Sequence, residues 1–130
     1  MAYLVDTDIL IDFLKNQKPA IDLFSKIKDV PIKISVITFL EVEYGIKKSQ
    51  NSEKRKNEFI DFINEFSVEV ILINVSIAEE YVKLKIILEK QRQPLADFDL
   101  LIAATALANS LSLVTRNTKH FKRIKDLKLL

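Results

Sequence analysis

The 130-residue sequence has no cysteine, one histidine, one glycine and three prolines. Without Cys there is no disulfide framework, no thiolate-bound zinc or iron–sulfur centre and no thiol nucleophile. A single imidazole excludes any site that needs two. Metal chemistry is therefore left to oxygen ligands. Average usage would give about nine glycines in a chain of this length, and the lone Gly45 excludes both the G-x-G-x-x-G and the Walker phosphate-binding loops. A protein built this way handles phosphate only with the help of a cation. No charge of one sign dominates: 20 Lys plus Arg against 18 Asp plus Glu leave a net +2. Attraction to nucleic acid or a membrane surface then has to come from a local patch. No apolar run approaches the ~18 residues of a membrane span. The start MAYLVDTDIL lacks the cationic beginning and long apolar stretch of a secretory signal. A soluble, cytoplasmic protein with no membrane partner is the expectation.

What is present is apolar material, 48% of the chain, enough for one compact core and hence a single domain over residues 1–130. The prolines are isolated and nothing resembles a linker or a repeat. Short β-branched runs predict buried strands at Tyr3 to Val5, Ile32 to Ile34, Val68 to Ile73 and Leu111 to Thr115. Helical patterns lie between them. Val36, Ile37, Leu40 and Tyr44 form one expected core stripe. Phe59, Phe62, Ile63 and Phe66 form another, either core or a face offered to a partner. Ser76 with Glu79 fits a capping box ahead of Ile77, Tyr81, Leu84 and Leu88. Strands alternating with helices predict an α/β fold, a mainly parallel sheet with helices on both faces. Ligands of such sheets sit beyond the carboxyl ends of the strands, so the residues that follow each strand matter most.

Acids stand at three of those positions. Asp6 directly abuts the first strand, where an unpaired charge is costly to desolvate and a cation beside it would remove the cost. Asp8 is read equally as a helix cap or a second site acid, and Thr7 lies between them. Glu41 follows the second strand, with Thr38 and Gly45 as small neighbours that leave room for a ligand. The bland alternative makes Glu41 and Glu43 solvated helix acids. Asp97 and Asp99 precede the apolar helix LLIAATALA; one Asp suffices as a cap, which assigns capping to Asp97 and leaves Asp99 aimed. After the last strand come Thr115, Arg116, Asn117, Lys119, His120, Lys122 and Arg123. Such a run is usually a polar turn and a solvated basic helix, yet beside three acids it forms a surface for backbone phosphates, with Arg116, Lys119, Lys122 and Arg123 as the contacts. His120 receives no role.

Converging carboxylates without His or Cys match Mg²⁺ or Mn²⁺ rather than zinc. Without the ion they repel one another, which raises and couples their pKa values. A divalent ion in such a setting orients a phosphodiester and stabilises charge in an in-line displacement, which is nuclease chemistry. Meeting of these side-chain oxygens around one ion is the structural expectation.

The stretches LVDTDIL around Asp6, SVITFLEVEYGI around Glu41, PLADFDLLIAATALA around Asp99 and LVTRNTKHF around Asn117 together resemble the PIN-domain ribonucleases of the VapC toxin type, from toxin–antitoxin pairs. The resemblance spans nearly the whole chain. It implies a PIN-like three-layer sandwich, a Mg²⁺-dependent endoribonuclease, a homodimer and a cognate antitoxin that blocks activity. By the same resemblance Asp6 and Asp99 are metal ligands, Glu41 is the third acid holding metal or its water, and Asn117 is the fourth site position. Asp8 stands where the family more often carries Asn, Asp97 adds an acid beside Asp99, and Asn117 stands where other PIN branches carry Asp. The last departure argues for one tightly held ion.

Three other readings compete. Asp6 and Asp8 also fit the Asp-x-Asp of haloacid-dehalogenase-like phosphatases, as nucleophile and acid, but Asp97 and Asp99 precede an apolar helix and the final strand ends in Thr-Arg-Asn. A receiver domain needs an Asp ending its third strand, where Ile73 and Asn74 stand. In the remaining reading every acid is a cap and the protein is a non-enzymatic partner-binding module.

Overall fold

The structure, a computed structural model, describes residues 1–130. In chain order the elements are β1 (Tyr3–Val5), α1 (Thr7–Leu14), α2 (Lys18–Ile27), β2 (Ile32–Ser35), α3 (Val36–Lys48), α4 (Ser52–Glu65), β3 (Glu69–Ile71), α5 (Val75–Lys90), α6 (Asp97–Ala108), β4 (Ser112–Val114) and α7 (Thr118–Phe121). The strands are all parallel in the order β3-β2-β1-β4, with Tyr3 opposite Ile32 and Val5 opposite Val114. Strand alternation sorts the core into two layers. Leu4 and Leu113 face a cluster built by Ile77, Leu84, Leu100, Ile102 and Phe121, whereas Val5 and Val114 face one built by Ile9, Leu10, Phe24, Val42, Phe59 and Phe62. One face of the sheet therefore carries α5, α6 and α7, the other α1, α2, α3 and α4, as the three-layer expectation requires.

The second layer is held by aromatic packing. Phe13, Phe24, Phe62 and Phe66 stack with ring centroids 4.8 to 5.6 Å apart. Of the two roles open to Phe59, Phe62, Ile63 and Phe66, the structure selects core: Phe59 and Phe62 are fully buried and the other two pack against them.

With one glycine in the chain, four helices end on other residues in the left-handed region: Asn16, Ser67, Arg92 and Ser110 at φ 49 to 58°. Each closes the same double hydrogen bond. After α1, Gln17 N–H donates to Asp12 carbonyl oxygen and Asn16 N–H to Phe13; α5 repeats this with Gln93 to Leu88 and Arg92 to Glu89. These are Schellman ends built without the residue that adopts them most cheaply.

Several local expectations are corrected. The buried stripe of α3 is Ile37, Thr38, Val42 and Ile46, while Leu40 and Tyr44 are exposed. Apolar residues occur on nearly every side of α3, so two stripes fit the 3.6-residue period; the direct exit from β2, with Ser35 Oγ accepting Ile37 N–H at 3.0 Å, selects between them. Helix α5 starts two residues earlier than the Ser76 box, capped by Asn74, whose Oδ1 accepts Ile77 N–H at 2.9 Å. Strands β3 and β4 are shorter than their apolar runs, because pairing partners end with β2 and β1.

Candidate active site

Because β2 and β3 lie on one side of β1 and β4 on the other, the crossover direction reverses at β1. A crevice opens at such a switch point beyond the carboxyl ends of the strands. Asp6 occupies it. Its N–H extends the ladder to the Val114 carbonyl oxygen at 2.9 Å, and its carboxylate is only 5% exposed. Oδ1 accepts the Thr7 N–H and Oδ2 the Thr115 hydroxyl, both at 2.7 Å. Asp6 is thus the cap of α1, one of the two roles that the sequence left open for Asp8. Asp8 lies inside the helix, where its Oδ1 accepts Ile9 N–H at 2.7 Å and its Oδ2 accepts Arg116 N–H at 3.1 Å.

Thr115 links the β4 end to these acids: its hydroxyl donates to Asp6 and accepts the Asn117 N–H at 3.0 Å. Asn117 thereby sits beside the site as the cap residue of α7. On the other flank the Thr7 hydroxyl donates to Glu41 Oε1 at 2.6 Å, with the fully buried Thr38 hydroxyl 3.0 Å from the same Thr7 oxygen. The two threonines bracket Asp6 and connect it to Glu41 and Asn117.

The electrostatics are those of acids lacking a counterion. Burial, then the Asp8 charge, push Asp6 up from 3.8 to about 6, and Asp99 adds to the rise despite the hydrogen bonds from Thr115 and Thr7. Asp99 is raised by burial and by Asp8, against the opposing charge of His120. Burial also raises Asp8, opposed by the Arg116 and Ile9 N–H groups. The molecule has eight ion pairs, and Asp6, Glu41 and Asp99 belong to none of them. Arg116 instead pairs with Asp12 at 3.1 Å and lies 3.9 Å from Asp8. Asp12 escaped the sequence reading; its only signal was the i, i+4 spacing from Asp8.

No three of the Asp, Glu and His side chains close on a common point as a ready ion cage. Asp6, Asp8 and Asp99 lie close enough to repel, and Glu41 reaches Asp6 through Thr7. Repulsion between uncompensated carboxylates opposes closer approach, and Mg²⁺ is commonly held by one or two carboxylates with the remaining ligands water. An oxygen-only donor set with a buried, uncompensated Asp6 fits such a cation. Asp97 is placed elsewhere. Ala96 is the cap residue of α6 and makes no side-chain cap, while Asp97 turns to α5 and accepts from Tyr81 and Lys85. That pairing lowers the Asp97 pKa and pushes Lys85 up to about 12. The better competitor for Asp97 was a tyrosine and a lysine 12 to 16 residues away. Arg123 donates to the Pro94 carbonyl oxygen at 3.0 Å, while Lys119 and Lys122 are exposed.

A groove of about 540 Å³ opens beside Glu41, lined by Ile11, Leu14, Val42 and Ile46 together with Lys15 and Arg55. Gly45 faces it, and a Cβ there would meet nothing within 4 Å.

The PIN domain family model matches residues 3–127. The chain belongs to the PIN-domain family. Within it, this PIN domain falls with the VapC proteins. "Ribonuclease VapC2" of Rickettsia felis is 33% identical over 132 residues, covering 98% of this chain and 95% of that one. "tRNA(fMet)-specific endonuclease VapC" of Shigella flexneri is 27% identical over 128 residues, covering 98% and 96%. The crystal structure of VapBC2 from Rickettsia felis, bound to a DNA fragment from its promoter, contains a chain with TM-score 0.91 and 30% identity, covering 100% of this PIN domain and 98% of that chain. PIN-domain VapC nucleases generally depend on a divalent metal. Membership in this family displaces the phosphatase and receiver readings of Asp6 and Asp8.

Proposed function

We propose that this chain is a Mg²⁺- or Mn²⁺-dependent endoribonuclease, the toxin of a toxin–antitoxin pair, acting as one domain. The observation that carries the reading is the buried Asp6 at the sheet's switch point, without a cationic partner and facing Asp8 and Asp99. Asp6 and Asp99 would hold the ion, with Glu41 as third acid. Once bound, a divalent ion supplies charge stabilisation at the scissile phosphate and lowers the pKa of a water ligand. The protein's own groups do the rest. Thr7 holds one oxygen of Glu41, leaving the other to accept a proton from the attacking water. Thr115 fixes Asp6, and Asn117 orients water or a ligand beside it. Arg116, Lys119, Lys122 and Arg123 grip RNA phosphates along the β4 edge.

The family relationship and the VapBC complexes support an antitoxin as partner. The groove beside Glu41 suits a segment of it, since an occupant there would meet the site. Val75, Val82 and Ile86, exposed at helical spacing on α5, offer an apolar stripe to a second copy in a homodimer. The test is RNA cleavage by the pure protein with Mg²⁺, with EDTA, and in Asp6→Asn and Asp99→Asn. Cleavage is expected to need the ion and to fall at least about 100-fold in both variants while they remain folded. Full activity in folded variants refutes the assignment. An initiator tRNA is the first substrate to try, given the Shigella flexneri relative's specificity.

A further inference from the structure

The segment leading into Asp99 is held from two sides by side chains to which the proposed chemistry gives no role at the ion. From α5, the Tyr81 hydroxyl donates to Asp97 Oδ1 at 2.8 Å and the Lys85 ammonium to the same oxygen at 3.0 Å. Lys85 Nζ is also 3.3 Å from the Tyr81 oxygen, so the three polar groups close a triangle. Tyr81 and Lys85 stand four residues apart and therefore on one face of α5. From the opposite direction Arg123, just beyond α7, donates to the Pro94 carbonyl oxygen at 3.0 Å. The first turn of α6 has no side-chain cap. Its position is set instead by these ties together with the packing of α6 on α5, through apolar residues such as Leu84, Leu88 and Leu100. Asp99 lies two residues beyond Asp97 in that turn, and the chain leaving β4 runs through Thr115 and Asn117 into α7, just past which Arg123 reaches back. The Asn117 and Asp99 segments are thereby tied to each other.

We propose that Tyr81, Lys85 and Arg123 are positioning residues that hold Asp99 in place, acting through Asp97 and the Pro94 carbonyl. The proposal rests on the reading of Asp99 as a divalent-ion ligand, and its consequence is an ion affinity, measured without RNA, that depends on residues that do not touch the ion.

The experiment compares the full chain with Tyr81→Phe, Lys85→Met, Lys85→Arg and Arg123→Gln, measuring Mn²⁺ binding in the absence of RNA, Tm in EDTA, and RNA cleavage against Mg²⁺ concentration. Lys18→Met is the control, since it breaks an exposed pair with Asp22 on α2, away from α5, α6 and α7. Tyr81→Phe, Lys85→Met and Arg123→Gln are each expected to raise the Mn²⁺ dissociation constant by about two- to five-fold, the scale that exposed polar ties transmit. Lys85→Arg restores it and Lys18→Met leaves it unchanged. Tyr81→Phe and Lys85→Met keep cleavage at saturating Mg²⁺ within about two-fold of the parent. A Tm that falls while Mn²⁺ affinity stays put assigns these residues to stability alone and overturns the proposal, as does no change in either. Wild-type protein that binds Mn²⁺ but cleaves no RNA would sink the nuclease reading and leave the positioning result standing. Wild-type protein that binds no Mn²⁺ would overturn both.

Discussion

Asp6 carries opposite demands. Its carboxylate is buried against Asp8 and Asp99, which raises its pKa to about 6, yet the proposed chemistry needs it ionised. In the unfolded chain the same group returns to the ordinary value near 3.8. Between these two values the native state holds a proton that the unfolded state has released, so Asp6 favours folding at low pH. Its contribution is complete below about pH 4 and is lost as pH rises through about 6, amounting to roughly 3 kcal/mol at most. In EDTA, wild-type Tm carries from Asp6 a decline between about pH 4 and pH 6 that Asp6→Asn lacks. Differential scanning calorimetry of both proteins across that window checks this, and parallel curves would contradict it. A bound divalent ion should raise Tm most at the upper end, where the carboxylates are charged.

Among the elements, the helix ends are where the shortage of glycine is felt. Arg92 sits at φ 57° after α5, a backbone region in which side chains are crowded. Arg92→Gly relieves that crowding but loosens the unfolded chain. A gain of up to about 1 kcal/mol in urea denaturation is expected, and destabilisation would refute the account. The one glycine, meanwhile, is in mid-helix at Gly45 in α3, with open space where its Cβ would be. Gly45→Ala is expected to stabilise the fold by about 0.5–1 kcal/mol. If an antitoxin segment occupies the groove that Gly45 lines, the same variant binds it more weakly. Isothermal titration against the partner separates the two effects; unchanged affinity would place the antitoxin elsewhere.

At the scale of the molecule, a net charge of only +2 leaves the proposed RNA attraction to a local patch, for which the β4 edge is the candidate. Lys119 and Lys122 are exposed there, and Arg116 is 64% exposed even while paired with Asp12. Its guanidinium keeps donors free for a phosphate, in an orientation that Asp12 sets. Replacing Arg116, Lys119 or Lys122 should weaken RNA binding. Each loss should reduce the slope of log affinity against log salt by about 0.7, the single-strand value per phosphate contact. Binding measured at a series of KCl concentrations tests this, and an unaltered slope would move the RNA track off this edge.

The parallel α/β sandwich was legible because strand-length β-branched runs alternate with helical periodicity, a signal carried by short stretches of chain. The polar residues at the strand ends were legible for a related reason. Asp6 and Thr115 each follow a buried strand by one residue, so a parallel sheet leaves them little choice of neighbour. What lay beyond the sequence was every competition among equally suitable partners. Asn74 displaced Ser76 as a cap, Ile37 and Val42 took the core positions offered also to Leu40 and Tyr44, and Asp97 left the helix end for Tyr81 and Lys85. Arg116 likewise found Asp12. Local pattern specifies which residues are apolar, charged or able to cap, but a helix rotates about its axis until packing stops it, and a long side chain takes whichever partner that rotation brings near. Only the three-dimensional arrangement of the helices could decide those.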